Sequence, residues 1–245
     1  MTIDTGAWVK RRKENERGIV KSKKGHIANV LSMRANKAKA CSTRSLILCH
    51  PPRALVLEGT LDSKLESTRS EENVLRTWLD SQRVTLAYKN IHTLEDISVL
   101  GRAIGNNKPL FAHISCHGDH DDDRGAYIIL APNSNDPKNY IYLNDKMTID
   151  VFKSAFEGIP ILFSACWLGR FKRDMDLFRQ NANLGKIAAF TRIVCDSECM
   201  LFELLVYQSI FVQGCPFETA VEKAEKALVV VGIRGVKGKG FVRVF

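Results

Sequence analysis

The 245-residue chain has no apolar run long enough to cross a bilayer. Its longest such run, residues 200–212, is interrupted by Glu203 and Gln208, whereas a spanning helix needs about 20 predominantly apolar residues. No secretory leader is expected, because Lys10-Arg11-Arg12-Lys13 is not followed by the apolar stretch of about 7–15 residues that export requires. The expected location is therefore cytoplasmic. No disulfide framework is expected either: the seven cysteines (41, 49, 116, 166, 195, 199, 215) are odd in number and irregularly spaced, and each is expected to be a free thiol. No internal repeat is visible. With 45% apolar and 26% charged residues, the chain is not disordered throughout.

Acidic residues are scarce at the N-terminal end. Residues 1–52 hold 12 Lys/Arg against 3 Asp/Glu (Asp4, Glu14, Glu16), which accounts for the whole net charge of +9, and residues 53–245 are balanced. Few large apolar residues punctuate this stretch, so 1–52 is expected to be a basic flexible arm. Ile27, Val30, Leu31 and Arg34, at helical spacing, mark one short basic amphipathic helix within it. Such an arm serves either as a contact for an anionic partner, nucleic acid or membrane surface, or as a solvated extension outside the domain.

From Pro51-Pro52 onward the pattern changes, and a domain over 53–245 is expected. Ala54-Leu55-Val56-Leu57 has the length and composition of a buried strand. Val74, Leu75, Trp78 and Leu79 form a helical stripe, 84–88 alternates like a strand, and Thr93 caps a helix carrying Leu94, Ile97, Leu100 and Ile104. A strand over 109–116 follows. Two short runs, 126–130 and 140–143, flank the turn-rich 132–137 like a hairpin, and a helix opening at Thr148 stops at Gly158. The most hydrophobic strand, 159–166, leads to a helix at 173–181, a strand at 186–191, helices at 198–212 and 216–230, and a last strand at 241–245. This alternation predicts an α/β fold with a mainly parallel sheet covered by helices on each side, a three-layer α/β/α arrangement.

In open sheets of this kind ligands sit at the carboxyl ends of the strands. Two strand endings stand out: His117-Gly118 and Ala165-Cys166. Neighbouring strands lie about 4.8 Å apart, so a cysteine and a histidine at adjacent ends can form a nucleophile–base pair. The thiolate attacks, the imidazole takes the proton and later protonates the leaving amine, and the N–H groups of Gly118 and Cys166 offer oxyanion donors.

The strings His113-Ile114-Ser115-Cys116-His117-Gly118 and Leu162-Phe163-Ser164-Ala165-Cys166 resemble the His-Gly and Ser-Ala-Cys boxes of the CHAT family, caspase-like cysteine peptidases of the caspase–separase–gingipain architecture. Residues 193–198 resemble the Val-x-Asp-x-Glu-like turn that precedes a long helix in that family, and 214–220 its Gly-x-x-x-x-x-Ala segment. The resemblance covers about residues 53–245. It implies a caspase-like sheet, an intracellular endopeptidase acting on a protein or peptide substrate in a defence or cell-death setting, Cys166 as nucleophile, His117 as base and acid, and no cofactor. The helical repeats that often precede CHAT domains are missing here.

Other readings stand beside this one. A caspase-like domain can serve as an inert binding scaffold, although such a version is expected to lose His117 or Cys166; alternatively, the arm is the working part. His113 faces away from Cys116 and reads as a core or supporting histidine, and Cys116 as packing. The aspartates of 119–123 cannot all point one way, which favours a solvated acidic loop over a metal site, and Cys195-x-x-x-Cys199 lacks a second ligand pair for zinc. No metal is expected. Asp196 and Glu198 are candidates for the rim of the pocket that reads the substrate residue before the scissile bond; Asp196 or Ser197 equally suits a helix cap.

Overall fold

A computed structural model describes residues 3, 7–11, 17–32, 38–48, 52–59, 71–104, 108–130, 139–235 and 240–245. Arg34, Cys49 and the 132–137 turn lie outside these residues.

The residues expected to be a flexible arm instead carry strands. β1 (Trp8–Arg11), β2 (Arg17–Lys24), β3 (Ile27–Ser32), β4 (Ala38–Ser42) and β5 (Leu46–Leu48) form a five-stranded antiparallel sheet in the order β4-β3-β2-β1-β5. Over residues 27–32 the expected helix is instead β3. Its apolar residues serve two periods at once, and strand pairing decides between them: Ala28 and Val30 are buried with Val9, Val20, Cys41 and Leu46, while Asn29 between them is exposed. A small core of this kind, with lysines between its apolar positions, is easily taken for a solvated segment.

Residues 53–245 are mixed α/β, with six α-helices among the described residues. The strands are β6 (Arg53–Gly59), β7 (Thr85–Ile91), β8 (Ala112–Ser115), β9 (His117–Asp121), β10 (Gly125–Ile129), β11 (Tyr140–Tyr142), β12 (Ile161–Ser164), β13 (Ile187–Phe190) and β14 (Val242–Val244). The helices are α1 (Glu71–Ser81), α2 (Leu94–Ile104), α3 (Lys146–Phe156), α4 (Lys172–Asn181), α5 (Asp196–Tyr207) and α6 (Phe217–Val230). A six-stranded sheet runs β14-β13-β12-β8-β6-β7; its pairings are parallel except β13 with β14. A separate antiparallel sheet, β11-β10-β9, stands beside it in sequence. The expectation of a mainly parallel sheet therefore describes one sheet of three; the other two are antiparallel throughout.

Local chemistry sets several boundaries. At the start of α2, Asp96 accepts from the Thr93 N–H at 2.9 Å and the Thr93 hydroxyl accepts from the Asp96 N–H at 3.2 Å, a reciprocal cap. Gly158, at φ +72°, ends the α3 segment in the left-handed region that glycine adopts without strain. The acidic 119–121 segment is not a loop: His117–Asp121 pairs with Gly125–Ile129, and Asp121 closes the turn by accepting from the N–H groups of Asp123 and Arg124.

Strand alternation divides the core in two. Leu55 and Leu57 of β6 join a cluster with Ile97 of α2, Phe152 of α3 and Phe178 of α4, whereas Ala54 and Val56 join Leu75 of α1, Phe202 of α5 and Leu228 of α6. Strands apolar in both directions are thus explained by two apolar clusters, one served by α2–α4 and one by α1, α5 and α6.

Candidate active site

β8 and β12 are parallel neighbours, and their last registered pair is Ser115 with Ser164. The Cys116 N–H still donates to the Ser164 carbonyl at 3.2 Å, so the two chains leave the sheet together. Two residues further on, in matching positions, come His117 and Cys166. His117 is the first residue of β9 and lies opposite Ile129 of β10. This histidine thus marks the point where the chain passes from the parallel sheet to the antiparallel one.

Gly118 brings the two endings into contact. A Cβ at this position would lie 2.8 Å from Leu168 Cγ and 3.0 Å from both Ala165 Cβ and the Cys166 carbonyl oxygen. No side chain fits there, and the His117-Gly118 backbone is pressed against residues 165–168. Cys166 is half-buried and His117 exposed, an arrangement open to a substrate.

The chain turns sharply after Cys166. Trp167 is held at φ +66°, in the left-handed region a bulky residue rarely adopts. The turn is fixed by the Leu168 N–H donating to the Cys166 carbonyl at 2.8 Å and the Trp167 N–H donating to the Arg192 carbonyl at 3.3 Å. The segment after β13 therefore borders the site, and the Cys166 Sγ faces the Val194 carbonyl at 4.0 Å.

Burial pushes the Cys116 thiol well above the ordinary cysteine value, and the nearby Cys166 adds to the shift. Cys116 is a packing thiol that stays protonated, matching its expected role.

At the start of α5, Glu198 is clamped by Arg192: Nη1 donates to Oε2 at 2.9 Å and Nη2 to Oε1 at 2.6 Å. The Cys195 N–H donates to the same carboxylate, and the Arg192 bonds hold Glu198 below the ordinary glutamate range. Glu198 thus serves the turn. Asp196 is exposed at the first position of α5, and the residue before the helix is Cys195 rather than Asp196 or Ser197.

A polar quartet was not identified from sequence. His113, Ser164, Glu203 and Tyr207 are buried and connected: His113 Nδ1 is 3.1 Å from the Tyr207 hydroxyl and Nε2 is 2.8 Å from the Ser164 hydroxyl, which donates to Glu203 Oε1 at 2.5 Å. The sequence signal for it is Glu203, a lone acid in the apolar run 200–212. An acidic side chain on the buried face of a helix calls for partners.

No group of three or more His, Cys, Asp or Glu side chains among the described residues is arranged to hold a metal ion. No helix among them is long and apolar enough to cross a membrane. Comparison with protein-family models and with curated protein sequences returns no match for this chain.

Proposed function

We propose that the chain is a cysteine endopeptidase of caspase-like, three-layer α/β/α architecture, cleaving a protein or peptide substrate through Cys166 and His117. The observation that carries this reading is the shared ending of β8 and β12, after which the Gly118 backbone packs against residues 165–168. His117 removes the Cys166 proton, and the thiolate adds to the scissile carbonyl carbon. The oxyanion is received by the N–H groups of Gly118 and Cys166. Collapse of the adduct breaks the C–N bond as His117 returns the proton to the leaving amine, and water then releases the acyl group from sulfur. The resemblance of the two boxes to CHAT peptidases supports the same roles, together with an intracellular defence or cell-death setting.

Replacing Cys166 by Ala is expected to abolish hydrolysis across a positional peptide library and to remove electrophile labelling at residue 166. His117→Ala lowers turnover by about 10²–10⁴-fold with the thiol retained. A Cys166→Ala protein that still turns over peptide overturns the assignment.

A second reading concerns residues 1–52. Every charged residue among the described residues of the N-terminal sheet is basic, and Lys21, Lys23, Lys24, Lys39 and Arg44 are exposed. An anionic partner, nucleic acid first, suits that surface. Retention on duplex DNA that falls as salt rises supports this reading, and salt-independent or absent retention refutes it.

A further inference from the structure

Below Cys166 and His117, on the face of the sheet covered by α5, lies the buried quartet His113, Ser164, Glu203 and Tyr207, with Ser164 two residues before Cys166 and His113 four before His117. The rows follow from the register: Leu162 pairs with His113 and Ser164 with Ser115, and Cys166 and His117 continue the series. Because side chains alternate, His113, Ser115, Leu162 and Ser164 belong to one side of the sheet, and His117 and Cys166 follow two residues past its last registered pair. Ser164 is thus the last anchored side chain on that side before the nucleophile.

The quartet ties three elements together. His113 is on β8, Ser164 on β12, and Glu203 and Tyr207 on α5. The short Ser164–Glu203 contact fixes the direction of the hydrogens. The Ser164 hydroxyl donates to Glu203 Oε1, and with its single proton committed there its oxygen accepts from His113 Nε2–H. The His113 Nε2 also lies 3.3 Å from Glu203 Oε1, closing a triangle whose members are fully or almost fully buried.

Buried polar and ionic groups are a poor source of stability. Their desolvation offsets most of the attraction, and apolar replacements of similar volume are often neutral or stabilising. What such a group supplies well is direction, since each bond is satisfied only in one geometry. The same helix α5 begins in the turn whose Val194 carbonyl faces Cys166 and whose Arg192 carbonyl holds the Trp167 N–H. One rigid helix therefore touches the nucleophile's surroundings at its start and grips the strand beneath it two turns later.

We infer that His113, Ser164, Glu203 and Tyr207 are positioning residues that fix the carboxyl end of β12 against β8 and α5, holding Cys166 at the distance from His117 that proton transfer requires. The inference rests on Cys166 being the nucleophile. A misplacement of about 1 Å at a reacting group costs as much as about 10²-fold in rate, so small displacements of β12 are enough to matter.

The test uses the full chain with three substitutions: Ser164→Ala, which breaks the network at its centre; Glu203→Gln, which keeps an amide oxygen as acceptor; and Tyr207→Phe, which removes one peripheral hydroxyl. Two quantities are read on folded protein at matched thermal stability: the pH profile of the iodoacetamide reaction rate at Cys166, followed by mass spectrometry, and kcat and KM on the best library peptide. Ser164→Ala is expected to lower kcat by about 10-fold or more at unchanged KM and to shift the pH profile of alkylation. Glu203→Gln is expected to stay within about 3-fold of the parent, and Tyr207→Phe to fall between the two. Folded Ser164→Ala or Tyr207→Phe proteins with parental alkylation profiles and parental kcat overturn the inference, whatever happens to melting temperature. Should Ser164→Ala not fold, Tyr207→Phe decides alone. A parent protein that cleaves no peptide removes the peptidase reading, and the alkylation profiles still decide whether the quartet positions Cys166.

Discussion

In the N-terminal sheet, β1 to β4 pair antiparallel with their neighbours in sequence, and one longer-range pairing, β1 with β5, adds the last strand at the edge opposite β4. In the six-stranded sheet, β8 is flanked by β6 and β12, so its neighbours are brought together from distant parts of the chain by helical crossovers. The two sheets are also buried differently. The first has one small apolar cluster; the second supports two clusters rich in phenylalanine. A sheet buried in both directions can hold chemistry at its strand ends, because the rest of each strand has no freedom to move, whereas a sheet with an exposed basic surface offers charge over an area.

The sharpest way to break that contrast is to open a cavity in each region. Phe152 is fully buried and packs edge-on against Phe178 with ring centroids 5.0 Å apart, and against Phe156 at 5.7 Å. Phe152→Ala is expected to destabilise the α/β region by about 3–5 kcal/mol. Val30→Ala, in the N-terminal cluster, removes about two buried methyl groups and is expected to cost about 2 kcal/mol. Denaturant melts of both variants check the ranking; a Val30→Ala loss equal to that of Phe152→Ala would show that the small cluster is as tightly coupled as the large one.

A second comparison uses two glycines. Gly118→Ala would drive a methyl group into Leu168, Ala165 and the Cys166 carbonyl, and Gly18→Ala would put one 2.5 Å from Val30 Cγ1 and 2.6 Å from the Leu31 carbonyl. Both strain the backbone, but only one follows the proposed base and packs against the backbone of the proposed nucleophile. Gly118→Ala is expected to reduce peptide hydrolysis by about 10²-fold, as a displacement near 1 Å does, with Gly18→Ala leaving it within about 2-fold. Steady-state kinetics on the two purified proteins distinguish these outcomes.

The same contrast explains what could be read from the sequence. The buried strands of 53–245 were legible because runs such as Ala54-Leu55-Val56-Leu57 and Ile161-Leu162-Phe163 have one explanation in a chain with helical segments between them. Thr93 and Gly158 were legible because caps and left-handed turns depend on a few neighbouring atoms. β1–β5 were not, because Ile27, Val30 and Leu31 fit a helix as well as a strand until β2 and β4 are placed beside them. β9 escaped for a related reason: His117-Gly118-Asp119-His120-Asp121 has no apolar alternation, and only pairing with β10 makes it a strand. The endings at His117 and Cys166 could be named, but the grip of His113 and Glu203 on Ser164 depends on α5 lying over β8 and β12, a long-range contact that no local pattern announces.

Removal of residues 1–48 tests whether the two sheets depend on one another. The sheet's apolar residues form their own cluster, and no residue proposed for catalysis lies in it. Hydrolysis of short peptides by the shortened chain is expected to stay within about 2-fold of the parent, with retention on an anionic partner lost at low salt. Failure of the shortened protein to fold or cleave would show that the sheet completes the α/β region.

The smallest expected effect concerns acid. The Arg192–Glu198 clamp holds the Glu198 pKa below its ordinary value of 4.5, chiefly through the two guanidinium bonds and secondarily through the Cys195 N–H. A carboxylate whose pKa is depressed on folding contributes stability above its unfolded pKa and loses it as pH falls through the folded one. The clamp's contribution should therefore be complete at pH 7 and disappear at pH values below the ordinary glutamate range. Because both side chains retain some solvent access, the expected size is below about 1 kcal/mol. Glu198→Gln lacks this titration, so the stability difference between parent and variant should shrink on acidification from pH 7 to pH 3. Since the clamped turn borders Cys166, the variant should also loosen the selection of the substrate residue before the scissile bond, and Asp196→Asn should weaken a preference for Arg or Lys there. A peptide-library profile that ignores both substitutions would separate the turn from substrate recognition and leave the clamp a purely structural bond.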